Sequence, residues 1–234
     1  MKTKILLLAM VFTFGSVTSS LKAQDKVKAD ARVDLVSSYV WRGLYQTGAS
    51  IQPTLAFAYS GFNLTAWGST DFKLFKEFDL TLGYTTGGLT LSVTDYWWAG
   101  QGQRYFDYDL HYFEGTAAYY MGESFPMTLS WSTIFSGEGD KDASGDQMYS
   151  SYLEAGYDFT VGEIALHPAV GIVPWGPSLF HIQSTRPEDM QMTNISLKAS
   201  KNIKVTDAYT IPAFAQVVVS PYDDNVHFVF GMTF

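Results

Sequence analysis

Residues 225–234 read Asn-Val-His-Phe-Val-Phe-Gly-Met-Thr-Phe. Successive side chains of a strand point to opposite faces, so Val226, Phe228, Phe230, Met232 and Phe234 share one side. In a soluble sheet a strand this apolar on its outward face would have to be buried or would aggregate. In a closed barrel the same face meets lipid and the backbone has no free edge. The alternation therefore predicts a membrane β-barrel.

The N-terminus supplies an export route. Lys2 and Lys4 precede an apolar stretch from Ile5 to about Phe14, and small and polar residues follow to Ala23. That pattern is a cleavable secretory signal, too short and wrongly flanked to span a bilayer. The expected division is a leader over residues 1–23 and one barrel domain over 24–234. Past the leader there is no apolar run of about 18 residues, so no helix is expected to hold the chain in the inner membrane. The terminal Phe234 resembles the signal that barrel-assembly machinery reads in bacterial outer-membrane proteins. The resemblance implies a bacterial outer-membrane location, with lipids and that machinery as partners.

Hydrophobic residues make up 47% of the chain and aromatics 16%, with 15 Tyr and 17 Phe. A barrel with an apolar belt and aromatic girdles needs such a composition. The formal charge is −8, and loss of Lys2, Lys4 and Lys22 with the leader takes it to −11. Nucleic acid is excluded as a partner on that charge. There is no cysteine, hence no disulfide framework and no lipoprotein anchor.

Period-two segments separated by turn residues predict about twelve antiparallel strands. They fall near 31–44, 51–59, 62–69, around Leu80–Tyr84, 89–97, 106–120, 127–136, 149–159, 164–173, 193–200, 209–220 and 225–234. An even count places both termini on the periplasmic side. Under it the connections at 60–61, 86–88, 121–126, 160–162 and 202–207 are periplasmic and short. Those at 98–105, 137–148 and 174–192 are outer and long, as barrels require.

The run Tyr39-Val40-Trp41-Arg42-Gly43-Leu44-Tyr45-Gln46-Thr47, with Ile51-Gln52-Pro53, Gly61-Phe62, Trp67-Gly68-Ser69 and Glu77-Phe78-Asp79, resembles the N-terminal signature of the TorF-type porin family. Trp41 departs mildly from it, standing where the family commonly has Phe. The likeness covers about the first third of the mature chain. It implies a small outer-membrane barrel and carries over no catalytic residues, no cofactor and no metal.

Charged residues of inward parity are the candidates for function: Arg32, Asp34, Arg42, Glu77, Asp79, Asp107 and Asp109, with His111 on the same face as the last two. In a channel they would bias ion selectivity; in a narrow barrel they would pair across strands. Tyr96, Trp97, Trp98 and Trp175 are candidate ligand contacts at the outer mouth, against a plainer role as girdle anchors. Tyr39, Trp41, Trp67 and Trp131 invite the same girdle reading. Trp67, Ile134 and Phe214 also fall on inward parity and argue for a plugged lumen. Residues 140–146 open like a calcium loop but lack the bidentate Glu, Ser151 standing in its place, so a solvated acidic loop is expected. None of the four histidines sits in a nucleophile constellation, so no enzyme is expected. The composite expectation is a porin-like channel for small hydrophilic solutes, weakly cation-preferring. Its alternative is a non-conducting barrel that binds a ligand or partner through its outer loops. Oligomers are common among porins, and no interface is readable.

Overall fold

The computed structural model describes residues 27–99, 102–181, 189–207 and 209–234. The leader expected at 1–23 and part of the longest connection lie outside the described residues. The strands are β1 (Lys28–Val36), β2 (Tyr39–Trp41), β3 (Leu44–Thr47), β4 (Ser50–Tyr59), β5 (Phe62–Asp71), β6 (Lys76–Thr86), β7 (Leu89–Ala99) and β8 (His111–Tyr120). They continue as β9 (Met127–Ser136), β10 (Ser151–Tyr157), β11 (Phe159–Val161), β12 (Ile164–Val173), β13 (Gln191–Lys204), β14 (Thr210–Ser220) and β15 (Asn225–Thr233).

Every neighbouring pair is antiparallel, and the order runs β1-β4-β5-β6-β7-β8-β9-β10-β12-β13-β14-β15 and back to β1. The segments β10 and β11 pair in sequence with β12 and form one interrupted wall strand. The result is a closed twelve-stranded barrel, as the alternation predicts. Eight of the expected strands recur within about two residues at each end, because each has a polar face and an apolar face that cannot exchange without inverting the whole strand.

Outward positions such as Leu55, Leu64, Leu82, Leu91, Val93, Leu197 and Phe230 are large, apolar and exposed. Their inward neighbours Thr54, Thr94, Thr116, Ser132 and Ser196 are buried. This is the inverse of a soluble protein and suits a barrel immersed in hydrocarbon. Tyr59, Phe62, Tyr84 and Phe159 gather at the end with short turns, where Phe62 lies 4.8 Å from Tyr84. The turn at Ser60-Gly61 has positive φ at both residues, 49° and 89°. That mirror-image geometry matches the twist of the flanking strands.

The first expected strand is corrected. It leaves the wall at Val36 rather than running on to residue 44. Ser37 makes the last wall contact: its N–H donates to the Phe230 carbonyl at 2.9 Å, while its hydroxyl accepts the Phe230 N–H at 3.0 Å. With a side chain where the ladder needs a carbonyl, the register ends there. The chain then forms the hairpin β2-β3, a two-stranded sheet separate from the barrel, and rejoins the wall at Ser50. The girdle reading of Tyr39 and Trp41 is corrected with it. On the other side of this seam β15 continues past its last β1 partner, Gly231, through Phe230 to Asn225.

Candidate functional site

The hairpin lies in the lumen at the end that bears the long loops. Its tip turns at Arg42 and Gly43, with φ of 54° and 83°, the positive pair a two-residue hairpin loop requires. A non-glycine residue in this region costs about 1 kcal/mol or more, and Arg42 must recover that cost through its contacts. Gly43 has no alternative: a Cβ there would stand 1.7 Å from the Thr193 carbonyl oxygen. The Arg-Gly pair is thus the point at which the hairpin touches the far wall.

Arg42 Nη1 donates to Glu114 Oε2 at 2.6 Å and Nη2 to Oε1 at 2.8 Å. Both side chains are almost wholly shielded, 7% and 0% exposed. The guanidinium sits over the rings of Trp41, Tyr152 and Phe180 at 4.4, 4.7 and 5.2 Å. Burial alone would weaken its hold on the proton, but Glu114 reverses this and keeps Arg42 charged. Glu114 also accepts from Tyr96 Oη at 3.0 Å and from Thr116 Oγ1 at 3.3 Å. A buried pair this well bonded resists removal of either partner.

Around the pair an aromatic core fills the lumen. Trp41 lies about 5.5 Å from the rings of Tyr96, Trp98 and Phe180, and packs on a cluster of Ile134, Tyr152, Val173 and Phe180. At the base of the hairpin Thr47 Oγ1 donates to Asp71 at 2.8 Å. Tyr39 rests on Trp67, with ring centroids 5.5 Å apart. Glu77 accepts from Trp98 Nε1 at 2.6 Å and from Tyr39 Oη at 3.4 Å. Burial, with Glu77 and Asp79 beside it, holds the Tyr39 phenol well above its ordinary range.

The expected lumen residues divide into four groups. Glu77 and Asp79 are buried on the lumen face of β6, beneath the hairpin. Arg32 and Asp34 face inward on β1: Arg32 pairs with Asp30 at 2.5 Å, and Asp34 accepts from Thr233. Both interact electrostatically with Lys198, which faces inward from β13 over the Phe214 ring at 4.0 Å. Arg42 is in the plug and not on a wall. Asp107 and Asp109 are a correction. The sixth wall strand starts at His111, after a one-turn 3-10 helix over Tyr108–Leu110, and both aspartates are exposed in the loop.

The parity expected for that strand is also inverted. His111 stands opposite Trp97 on the outward face and pairs with Asp95 at 2.7 Å. Glu114 and Thr116 point inward. The sequence signal for this was the recurrence of polar residues at 114 and 116 against Phe113, Gly115, Ala117 and Tyr119.

The four mouth aromatics do not converge. Tyr96 and Trp98 face the lumen, stacked at 5.3 Å. Trp97 points the other way onto Tyr105, and Trp175 packs against outward Trp131 at 5.7 Å. Trp131 keeps the outward position expected of it, while Trp67, Ile134 and Phe214 face inward. The 140–146 loop is not simply solvated. Asp140 is fully buried and accepts from the Ser150 hydroxyl, the Ser150 N–H and Gln147. The residue that would open a calcium loop fastens this one instead.

Compared with known proteins, the chain matches no family model and no curated protein. Among solved structures it is similar to the COG4313 outer membrane channel from Pseudomonas putida F1. The identity is 15% and the TM-score 0.43, over 88% of this chain and 93% of that one.

Proposed function

We propose that this protein is an outer-membrane channel for passive diffusion of small hydrophilic solutes, closed in this structure by its own β2-β3 hairpin. The observation that carries the reading is the way the lumen is filled. The plug is a short hairpin attached by side-chain contacts, whereas the β6-β7 wall toward the turn end carries the small polar groups Thr81, Thr85, Thr90 and Ser92. A lumen filled for stability alone would be expected to carry bulky residues along its whole height. Withdrawal of the hairpin takes Trp41 and Arg42 out of the aromatic core and opens a path to that polar stretch. Lumen-facing Glu77, Asp79 and Glu154 outweigh Arg32 and Lys198 once Arg42 leaves with the plug, and Asp34 adds to the acidic side. Such a lining gives weak cation preference. The TorF-type resemblance of residues 39–79 belongs to the same proposal, with the Arg-Gly pair as the plug tip.

The alternative is a non-conducting barrel with a ligand- or partner-binding role through its loops. The packed aromatic core around Trp41 favours it. Conductance of the refolded chain 24–234 in planar bilayers decides between them, compared with a variant in which 38–48 is replaced by a short Gly/Ser link. The channel reading expects rare steps from the parent protein and frequent, larger steps from the variant, with a reversal potential toward cations. A correctly folded variant that stays silent refutes it.

A further inference from the structure

Asp79 stands apart from the other lumen carboxylates. Glu114 holds Arg42, Glu77 is bonded by Trp98 and Tyr39, and Glu154 by Tyr152 and Asn194. Asp79 is 7% exposed, and its Oδ1 has no hydrogen-bond partner among the described residues. A buried charge left in this state is costly, and Glu77 on the same face adds repulsion.

Its neighbours are specific. Trp67 on β5 and Tyr96 on β7 stand directly opposite Asp79 on its two flanking strands, so their lumen-facing rings begin about 5 Å away on either side. Thr54 is opposite Trp67 on the next strand. Thr54 Oγ1 is the second buried oxygen here without a partner. Tyr39 of the plug covers Trp67 from above.

A buried carboxylate flanked on both neighbouring strands by aromatic side chains, with no cation assigned to it, has the chemistry of an ammonium receptor. The rings attract positive charge through their quadrupoles, and the free oxygens accept N–H donors. A divalent metal would want several carboxylate or imidazole ligands, and no group of three such residues able to hold one occurs among the described residues. We infer that Asp79, with Trp67, Tyr96 and Thr54, forms a lumen-wall binding site for small organic ammonium ions, uncovered when the hairpin withdraws. The uncovering rests on the channel reading above, since in the closed state Tyr39 lies over the site.

The test is a titration of tryptophan emission in the refolded chain 24–234 with ethylammonium chloride, against sodium chloride at equal ionic strength. It is run on the parent protein and on Arg42→Ala, whose plug is loosened. A saturable change with ethylammonium alone supports the site. So does its weakening by about tenfold or more in Asp79→Asn, with retention in Asp79→Glu. Heat-modifiable migration establishes that each variant is folded. An identical response to sodium, a response unaffected by Asp79→Asn, or no response in either background overturns the proposal. Conductance recorded in parallel separates the two readings. A conducting barrel blind to ethylammonium refutes the site and leaves the channel, while a silent barrel that binds it through Asp79 refutes the channel and leaves the site.

Discussion

Replacing Arg42 with alanine is the sharpest test of the plug. The change removes two short hydrogen bonds, 2.6 and 2.8 Å, from a pair in which neither partner meets solvent. Breaking such a pair costs about 3–5 kcal/mol. Tyr96 and Thr116 still bond Glu114, which argues for the lower end. Alanine at φ 54° keeps the backbone strain, so nothing is regained there. A loss of about 3 kcal/mol from the seated state, at about 1.4 kcal/mol per decade, lowers the closed-to-open ratio roughly a hundredfold. Single-channel recording reads this directly as shortened closed intervals. A second variant, Arg42→Met with Glu114→Leu, replaces the ion pair by apolar groups of similar size, and a dry apolar pair can match a buried ionic one. It should return the closed intervals to within about tenfold of the parent. A folded Arg42→Ala barrel with parental closed intervals would refute the latch.

Gly43→Ala should unseat the hairpin without disturbing the barrel, because its Cβ would meet the Thr193 carbonyl at 1.7 Å. Its conductance should resemble that of Arg42→Ala while heat-modifiability is kept. Leu82 is outward and exposed near the middle of β6, so Leu82→Arg should lose about 2–4 kcal/mol in urea unfolding from vesicles; lumen-facing Thr81→Ser should change little. Asp140→Ala strips the acceptor from Ser150 and Gln147, a local loss of about 1–3 kcal/mol. Protease should then cut the 141–149 loop faster, with the global unfolding midpoint unchanged.

The wall was legible because lipid on one side and a polar lumen on the other impose a period of two on every strand, and no soluble context competes with that signal. The site was not, for reasons visible in two segments. Tyr39 and Trp41 continue the parity of Val33 and Leu35, so the plug reads as more strand. The warning was length: residues 31–44 exceed the about 9–11 that cross a bilayer, and Arg42-Gly43 supplies a turn inside the excess. The same overlength at 106–120 displaced Asp107 and Asp109 into the lumen and hid Glu114, whose partner lies 72 positions away. A long-range ion pair between a turn and a wall leaves no local pattern.

At the seam, β15 runs on past the residue where β1 turns aside, and Val226 and Phe228 present a backbone edge to which β2 contributes no ladder. Residues 37–41 are the stretch that would continue β1 along that edge, and they carry the alternation to do so. One stretch of chain is therefore both the missing course of the wall and the stopper of the bore, and it cannot serve as both at the same time.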